Sequence, residues 1–370
     1  MPAIIAGGDP SRGIPLTEGS PMSQDDDGED WRSLSTRTHD HVTLARTLRR
    51  AREPDRGRTA SRPEQIPARG WFDILVRVFW SLPQDRVLAT AGGVSFFTLL
   101  AAFPGIATVV SLYGLLSDPR AISQHLTLLT GILPAGVLAL LTDEMTRIAQ
   151  KSTGALSSAS VVSFLIAFYS ANSGVMYLFD ALNVIYKERE KRTLPQLYCI
   201  SLLFTFSGVV FVVAAIGMVV VLPVVLSEVG LGLIANTLLR VARWPLLLIV
   251  VGAGLALIYR YGPSRREAKW RWVMWGAALA ALLWVCASVL FSWYVSSFDS
   301  YNRTYGSLGA GVGFMTWMWL SVVIVLIGAE LNSELERQTA QDSTTGRPQP
   351  LGSRDAYAAD TVGPAQPSNP

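Results

Sequence analysis

The sequence predicts an all-α polytopic membrane protein: a six-transmembrane-helix bundle with an interfacial amphipathic helix ahead of it and a disordered polar tail at each end. Three observations predict it. Half of the 370 residues are hydrophobic and only 16% are charged, yet both ends are polar, so the apolar residues crowd into the middle. Between Val87 and Leu331 the apolar runs repeatedly approach about 20 positions, the length a helix needs to cross a hydrocarbon core of ~30 Å. Lys and Arg concentrate in alternate short loops, as they do on the cytoplasmic side of a membrane.

Residues 1–70 are rich in Arg, Asp, Ser, Pro and Gly, with Arg46, Arg49, Arg50, Arg52, Arg56 and Arg58 close together. Such composition predicts a disordered basic tail. It is either merely solvated or drawn to anionic headgroups, at ~1 kcal/mol for each residue near the surface. The start, MPAIIAGGDP, has no basic region followed by a long apolar stretch, so no cleavable secretory signal is expected. Trp71, Ile74, Leu75, Val78, Phe79 and Leu82 then recur at steps of three and four, with Asp73, Arg77 and Ser81 turned away. That spacing predicts one amphipathic helix lying in the interface.

The spans follow at about 87–116, 157–182, 197–222, 245–259, 272–295 and 306–329. Pro104 falls inside the first and is expected to kink it. The stretch Leu126 to Leu141, interrupted by Gly131, Pro134 and Gly136, is too short to cross and reads as interfacial or re-entrant. The fourth span, Pro245 to Tyr259, is also short, but Arg243 and Arg260 can snorkel at its ends. Aromatic belts flank the fifth: Trp270 and Trp272 at one interface, Trp293, Tyr294, Tyr301 and Tyr305 at the other.

Charge tests the count. With the N-terminus inside, the inner loops carry Lys187, Arg189, Lys191 and Arg192, then Arg260, Arg265, Arg266, Lys269 and Arg271. The longer outer loops carry only Arg120, Arg147, Lys151, Arg240, Arg243 and Arg303. Were 126–141 to cross, or 245–259 not to, a strongly basic loop would move outside. Both termini are therefore expected in the cytoplasm, and residues 337–370, without apolar periodicity, as a second disordered tail.

Ionisable and polar residues in spans are costly in lipid and tend to face the bundle interior or a wet cavity. On an ideal helix Tyr169, Asn172, Ser173, Asp180 and Asn183 share an arc of roughly 100°. Either they line a polar path, or Asp180 and Asn183 only pair with Arg189 or cap the helix end. In the sixth span Tyr305, Gly309, Thr316 and Glu330 share a face. Glu330 is the leading candidate for a substrate or translocation role; the competing reading is an interfacial carboxylate bonded to a neighbouring helix, with Asn332 solvated. Gly306, Gly309, Ala310 and Gly313, like Gly276 and Ala280, are expected to allow close helix packing.

Catalytic groupings are scarce. Cys199 and Cys286 lie inside apolar runs, offering neither a disulfide framework nor a metal spacing. His39, Asp40 and His41 have no third ligand at fixed spacing, and His125 stands alone. There is no phosphate-binding or dinucleotide fingerprint, so no cofactor, metal or enzymatic activity is expected, and a net charge of +3 gives no argument for nucleic acid.

Three stretches carry a resemblance: GGVSFFTLLAAFP, SGVMYLFDALNVIY followed by basic residues, and YGSLGAGVGFMTWMWL running into GAELN. From about Trp71 to Glu336 the chain resembles the YihY/virulence factor BrkB family, once labelled ribonuclease BN. The resemblance implies a bacterial cytoplasmic-membrane protein of six spans and, by analogy with some members, export of lipid or polysaccharide material. It points at Ser95, Pro104, Asn183, Tyr305, Gly306, Glu330 and Asn332. Where relatives tend to carry tyrosines, this chain has Phe96 and Phe97.

The expected function is thus a transporter or a translocator of lipid or another envelope component, with membrane lipids around it and a small-molecule or lipid cargo. A structural scaffold of the envelope is the alternative. A ribonuclease is disfavoured, since clustered metal-binding carboxylates or an acid–base pair on a soluble face are missing. Homo-oligomer formation is left open.

Overall fold

The structure is a computed structural model. It describes residues 44–116, 153–216, 233–297 and 307–367, with side chains omitted at 102–116, 153–160, 163–164, 212–216, 233–244, 247, 295–297 and 307–310. The chain divides into two compact units, Met1–Ala45 and Arg46–Pro370, and nearly all of the first lies outside the described residues. The expectations for His39, Asp40 and His41, for His125, for the segment 126–141, and for Tyr305 and Gly306 likewise fall outside them.

The described chain is helical, without a named strand; one isolated antiparallel bridge joins Ala268 to Thr344. We number its helices α1 (Ala68–Gln84), α2 (Val87–Leu116), α3 (Thr153–Ile185), α4 (Leu194–Ile216), α5 (Leu233–Tyr261), α6 (Trp270–Ser297), α7 (Ser307–Glu336) and the single turn α8 (Tyr357–Asp360). Among the described residues three stretches are long and apolar enough to cross a membrane, Leu194–Phe211, Trp270–Tyr294 and Gly311–Glu336, while Val87–Ala101 and Leu248–Tyr261 are shorter apolar stretches. The fourth expected span lies within a helix of 29 residues rather than 15, because the helix begins at Leu233 and runs through a stretch where Asn236, Thr237, Arg240 and Arg243 interrupt the apolar residues. Pro104 lies inside the continuous α2 and Pro245 inside α5.

The core is built from small and aliphatic residues of α2, α3, α5, α6 and α7, among them Ala91, Leu182, Ala256, Ala280 and Leu326. Helix α7 is central, packing on α1, α2, α3 and α6, whereas α4 packs on α3 alone among the principal helix pairs. The α6–α7 crossing is close because both partners lack a side chain there. A Cβ at Gly276 would strike the Gly328 carbonyl, and one at Gly328 would lie 2.8 Å from the Ala280 methyl. Packing is thus the use of Gly276 and Ala280, as expected. At Gly313 a Cβ would meet nothing within 4 Å among the described residues.

Two sequence expectations are corrected. In α1 the polar residues face inward: Asp73, Arg77 and Ser81 are buried, whereas Phe72, Leu75, Phe79 and Trp80 are exposed. The polar face has partners on the protein, because Arg77 bonds Glu334 and the Gln338 side chain, and Asp73 takes Arg56 at 2.7 Å. Nor are 46–70 and 337–367 disordered. Buried Arg354 donates to the carbonyls of Gln349, Gln341, Ala359 and Ala340. Arg58, also buried, reaches the Gln338 and Gly363 carbonyls. Hydrogen bonds from side chain to backbone hold irregular chain in place without any periodic pattern.

Candidate functional site

At the end of the bundle where α1 gives way to α2, α3 ends and α7 ends, polar groups converge. Glu330 comes from α7 and is 1% exposed, and its carboxyl lies within hydrogen-bond reach of the Asp85 carboxyl. The charged groups facing it are Asp85, at the C-terminal end of α1, Glu334 one turn along α7, and Lys187 just after α3. The hydroxyl of fully buried Tyr186 is close by, within reach of Asn332. Two carboxyls facing each other inside an apolar bundle cannot both carry charge without a proton or a cation between them, so the pair marks a place with a use other than stability. Sequence reasoning missed Asp85 and Tyr186. Asp85 lies in the α1–α2 turn, outside every span, and no helical wheel could connect it to α7.

Around this cluster the other candidates act as struts. Asn332 is fully buried; its Oδ1 accepts from the Gly276 amide at 2.8 Å and its Nδ2 donates to the Val273 carbonyl at 3.0 Å, fastening α7 to α6. It is not solvated. Asn183 accepts from the Ser264 amide at 2.7 Å and donates to Glu190 at 3.0 Å, linking the end of α3 to two loops. Asn172 is buried and accepts from the Thr205 hydroxyl at 3.2 Å, joining α3 to α4. Ser95, buried on α2, donates to the Ala91 carbonyl within its own helix.

The expected stripe on α3 is not continuous. Tyr169 and Asp180 are exposed while Asn172 and Asn183 are buried, because helix azimuth is set by the neighbours α2, α4 and α7 and not by polarity alone. Thr316 on α7 is also exposed and bonds back to the Val312 carbonyl. Gly309 is in α7, but its surroundings are not described.

Beside the cluster lies a layer of ion pairs. Arg265 and Glu336, both wholly buried, meet at 2.6 Å, and Arg265 stacks 4.1 Å over the Tyr186 ring. Arg77 and Arg337 both pair with Glu334. In the α3–α4 loop burial opposes ionisation of Glu190. Hydrogen bonds from the Arg192 side chain and amide, and from Asn183 and Ser264, outweigh it and hold the carboxyl down at about 2.

A cavity of about 1100 Å³ opens between α4 and α5. Leu203, Phe204, Phe211, Val250 and Leu257 are among its apolar walls, and Lys191, Arg192, Arg260 and Arg266 stand at its mouth. Among the described residues no group of three His, Cys, Asp or Glu side chains converges as a bound metal would require.

Residues 78–351 match the family model described as virulence factor BrkB, which covers most of the chain. The chain belongs to this family. Relatives of this BrkB-family chain include "Putative ribonuclease-like protein YfkH" of Bacillus subtilis, 28% identical over 66% of this chain and 88% of that protein. A UPF0761 membrane protein of Vibrio cholerae is 26% identical over 70% of this chain and 86% of its own length. Another from Paraburkholderia xenovorans is 24% identical over 68% of this chain, which spans 57% of that relative. No solved structure matches. The family and its helices make this a membrane protein, as the BrkB-like motifs implied.

Proposed function

We propose that this BrkB-family protein crosses the cytoplasmic membrane six times through α2–α7, with both termini inside, and moves a lipid, another envelope component or a small molecule across it. The single observation that carries the reading is the buried polar cluster at one end of an apolar bundle, where the Glu330 carboxyl faces that of Asp85 close to the Tyr186 hydroxyl. Polar groups kept inside a membrane helix bundle at such a cost are characteristic of substrate, ion or proton pathways. In this reading Glu330 is the group that engages cargo or a coupling ion, while Asn183 and Asn332 hold its surroundings rigid. The role is not enzymatic.

The test is flux or lipid translocation in vesicles reconstituted with the full chain. Glu330→Gln keeps the shape and removes the charge. We expect the rate to fall about tenfold or more, equivalent to ~1.4 kcal/mol on the barrier, with the protein still folded. An unchanged rate would sink the assignment. The orientation is tested by cysteine labelling of 187–192, which should be shielded from impermeant reagent in intact cells; labelling from outside would invert the model.

A further inference from the structure

The cavity between α4 and α5 has a division of character that the proposed function does not use. Its walls are apolar side chains of the two helices; its mouth is basic. Four cations stand there, Lys191, Arg192, Arg260 and Arg266, with a fifth, the buried Arg265, in the lining, against Glu267 and Asp355. Three of the five are in ion pairs, Arg265 with Glu336, Lys191 with Glu188 and Asp355, and Arg192 with Glu190, while Arg260 donates to the Ala268 carbonyl at 2.8 Å. Among the described residues no ion pair takes up Arg260 or Arg266. Arg260 instead lies 4.5 Å over the Trp270 ring and 5.2 Å over that of Tyr261, two aromatic residues of the kind that sit at headgroup level.

Length decides what fits. On α5 the lining runs from Val250 to Tyr261, which at ~1.5 Å per residue is about 16 Å. That is half of a ~30 Å hydrocarbon core, hence the depth of one leaflet. A groove with one leaflet of apolar wall, closed by arginines beside interfacial aromatics, matches an acyl chain beneath a phosphate. Basic pockets between membrane helices on the cytoplasmic side bind acidic headgroups in this way.

We propose that the α4–α5 groove is a binding site for an anionic glycerophospholipid, with its phosphate at Arg260 and Arg266 and an acyl chain along Leu203, Phe204 and Leu257. The site shares with the proposed function only the orientation of the bundle, and its occupancy is read without any flux. Lipid seated here braces two helices that pack on different neighbours, α4 on α3 and α5 on α6.

The experiment uses the full chain in detergent, equilibrated with equal amounts of phosphatidylglycerol and phosphatidylcholine, and native mass spectrometry to count the lipids that remain bound. The parent should retain phosphatidylglycerol preferentially. Arg266→Gln should reduce that preference about fivefold and Arg260→Gln/Arg266→Gln by about 25-fold, from the usual contribution of a basic residue near an acidic surface. Gly254→Phe, which fills the groove and leaves every cation in place, should abolish retention of both lipids there. Should the double variant fail to fold, Arg266→Gln and Gly254→Phe carry the test, since Arg266 is only half-buried and a Cβ at Gly254 meets nothing among the described residues. Equal retention of the two lipids by the parent overturns the proposal, as does a preference unmoved by the arginine variants. Displacement by free glycerol phosphate as effectively as by lipid also overturns it, by showing an anion site that ignores the groove.

Discussion

The buried Arg265–Glu336 pair offers a quantitative test of how this end of the bundle is held. Glu336 accepts from Arg265 Nη2 at 2.6 Å, from Nη1 at 3.1 Å and from the Ser343 hydroxyl at 2.7 Å, and both charged side chains are 0% exposed. Arg265→Met removes the cation and two of these three bonds, leaving a carboxylate with one hydroxyl for company. Breaking such a pair on one side costs about 3–5 kcal/mol, because the remaining charge has lost both water and partner. The folded-to-unfolded ratio should fall by roughly two to three and a half powers of ten. Arg265→Met/Glu336→Leu removes both charges and should recover most of the loss, since the pair itself contributes little beyond its own desolvation cost. The assay is reversible denaturant unfolding of the purified protein in mixed micelles, followed as a double-mutant cycle. A single variant within about 1 kcal/mol of the parent, or a double variant as unstable as the single, would refute the view that this pair is desolvated and mutually dependent.

Other expectations follow from the same contacts. Gly276→Val places atoms into the Gly328 carbonyl and Asn332 and should cost at least about 1–3 kcal/mol, read as a lower thermal midpoint; a neutral effect would show the α6–α7 crossing is looser than described. Asp73→Asn weakens the hold on Arg56 and on the Gln366 amide by about 1.5–3 kcal/mol, so limited trypsin digestion should cut faster near Arg56, and unchanged protection would contradict the anchoring of residues 46–70 through Asp73. For Glu190, held at about 2 against an ordinary 4.5, the folded carboxylate's stabilisation is complete above 4.5 and is lost as pH falls toward 2. Glu190→Gln should flatten that part of the stability–pH curve; an identical acid limb would remove Glu190 from the account.

The positions of α2, α3, α6 and α7 were legible in the sequence because hydrophobic length is a local property. A run such as Val87 to Leu116 announces a helix whatever its neighbours are. The motifs around Ser173–Tyr186 and Gly328–Asn332 likewise announced the family. Glu330 stood out as a carboxylate beside an apolar run, and it is buried. Asp180 stood out for the same reason and is exposed.

What the sequence determined by itself is therefore the solvent of this chain and the helices that suit it, because both depend on composition summed along a single stretch. Only the tertiary structure decided which polar atoms meet. It joined Asp85 from a turn and Tyr186 from a helix end to Glu330, fixed Asn332 between two helices, and fastened a tail without periodicity through Arg354 and Arg58. Those pairings span separations along the chain that no local pattern records, and their energies exist only once water has been excluded from the place where they come together.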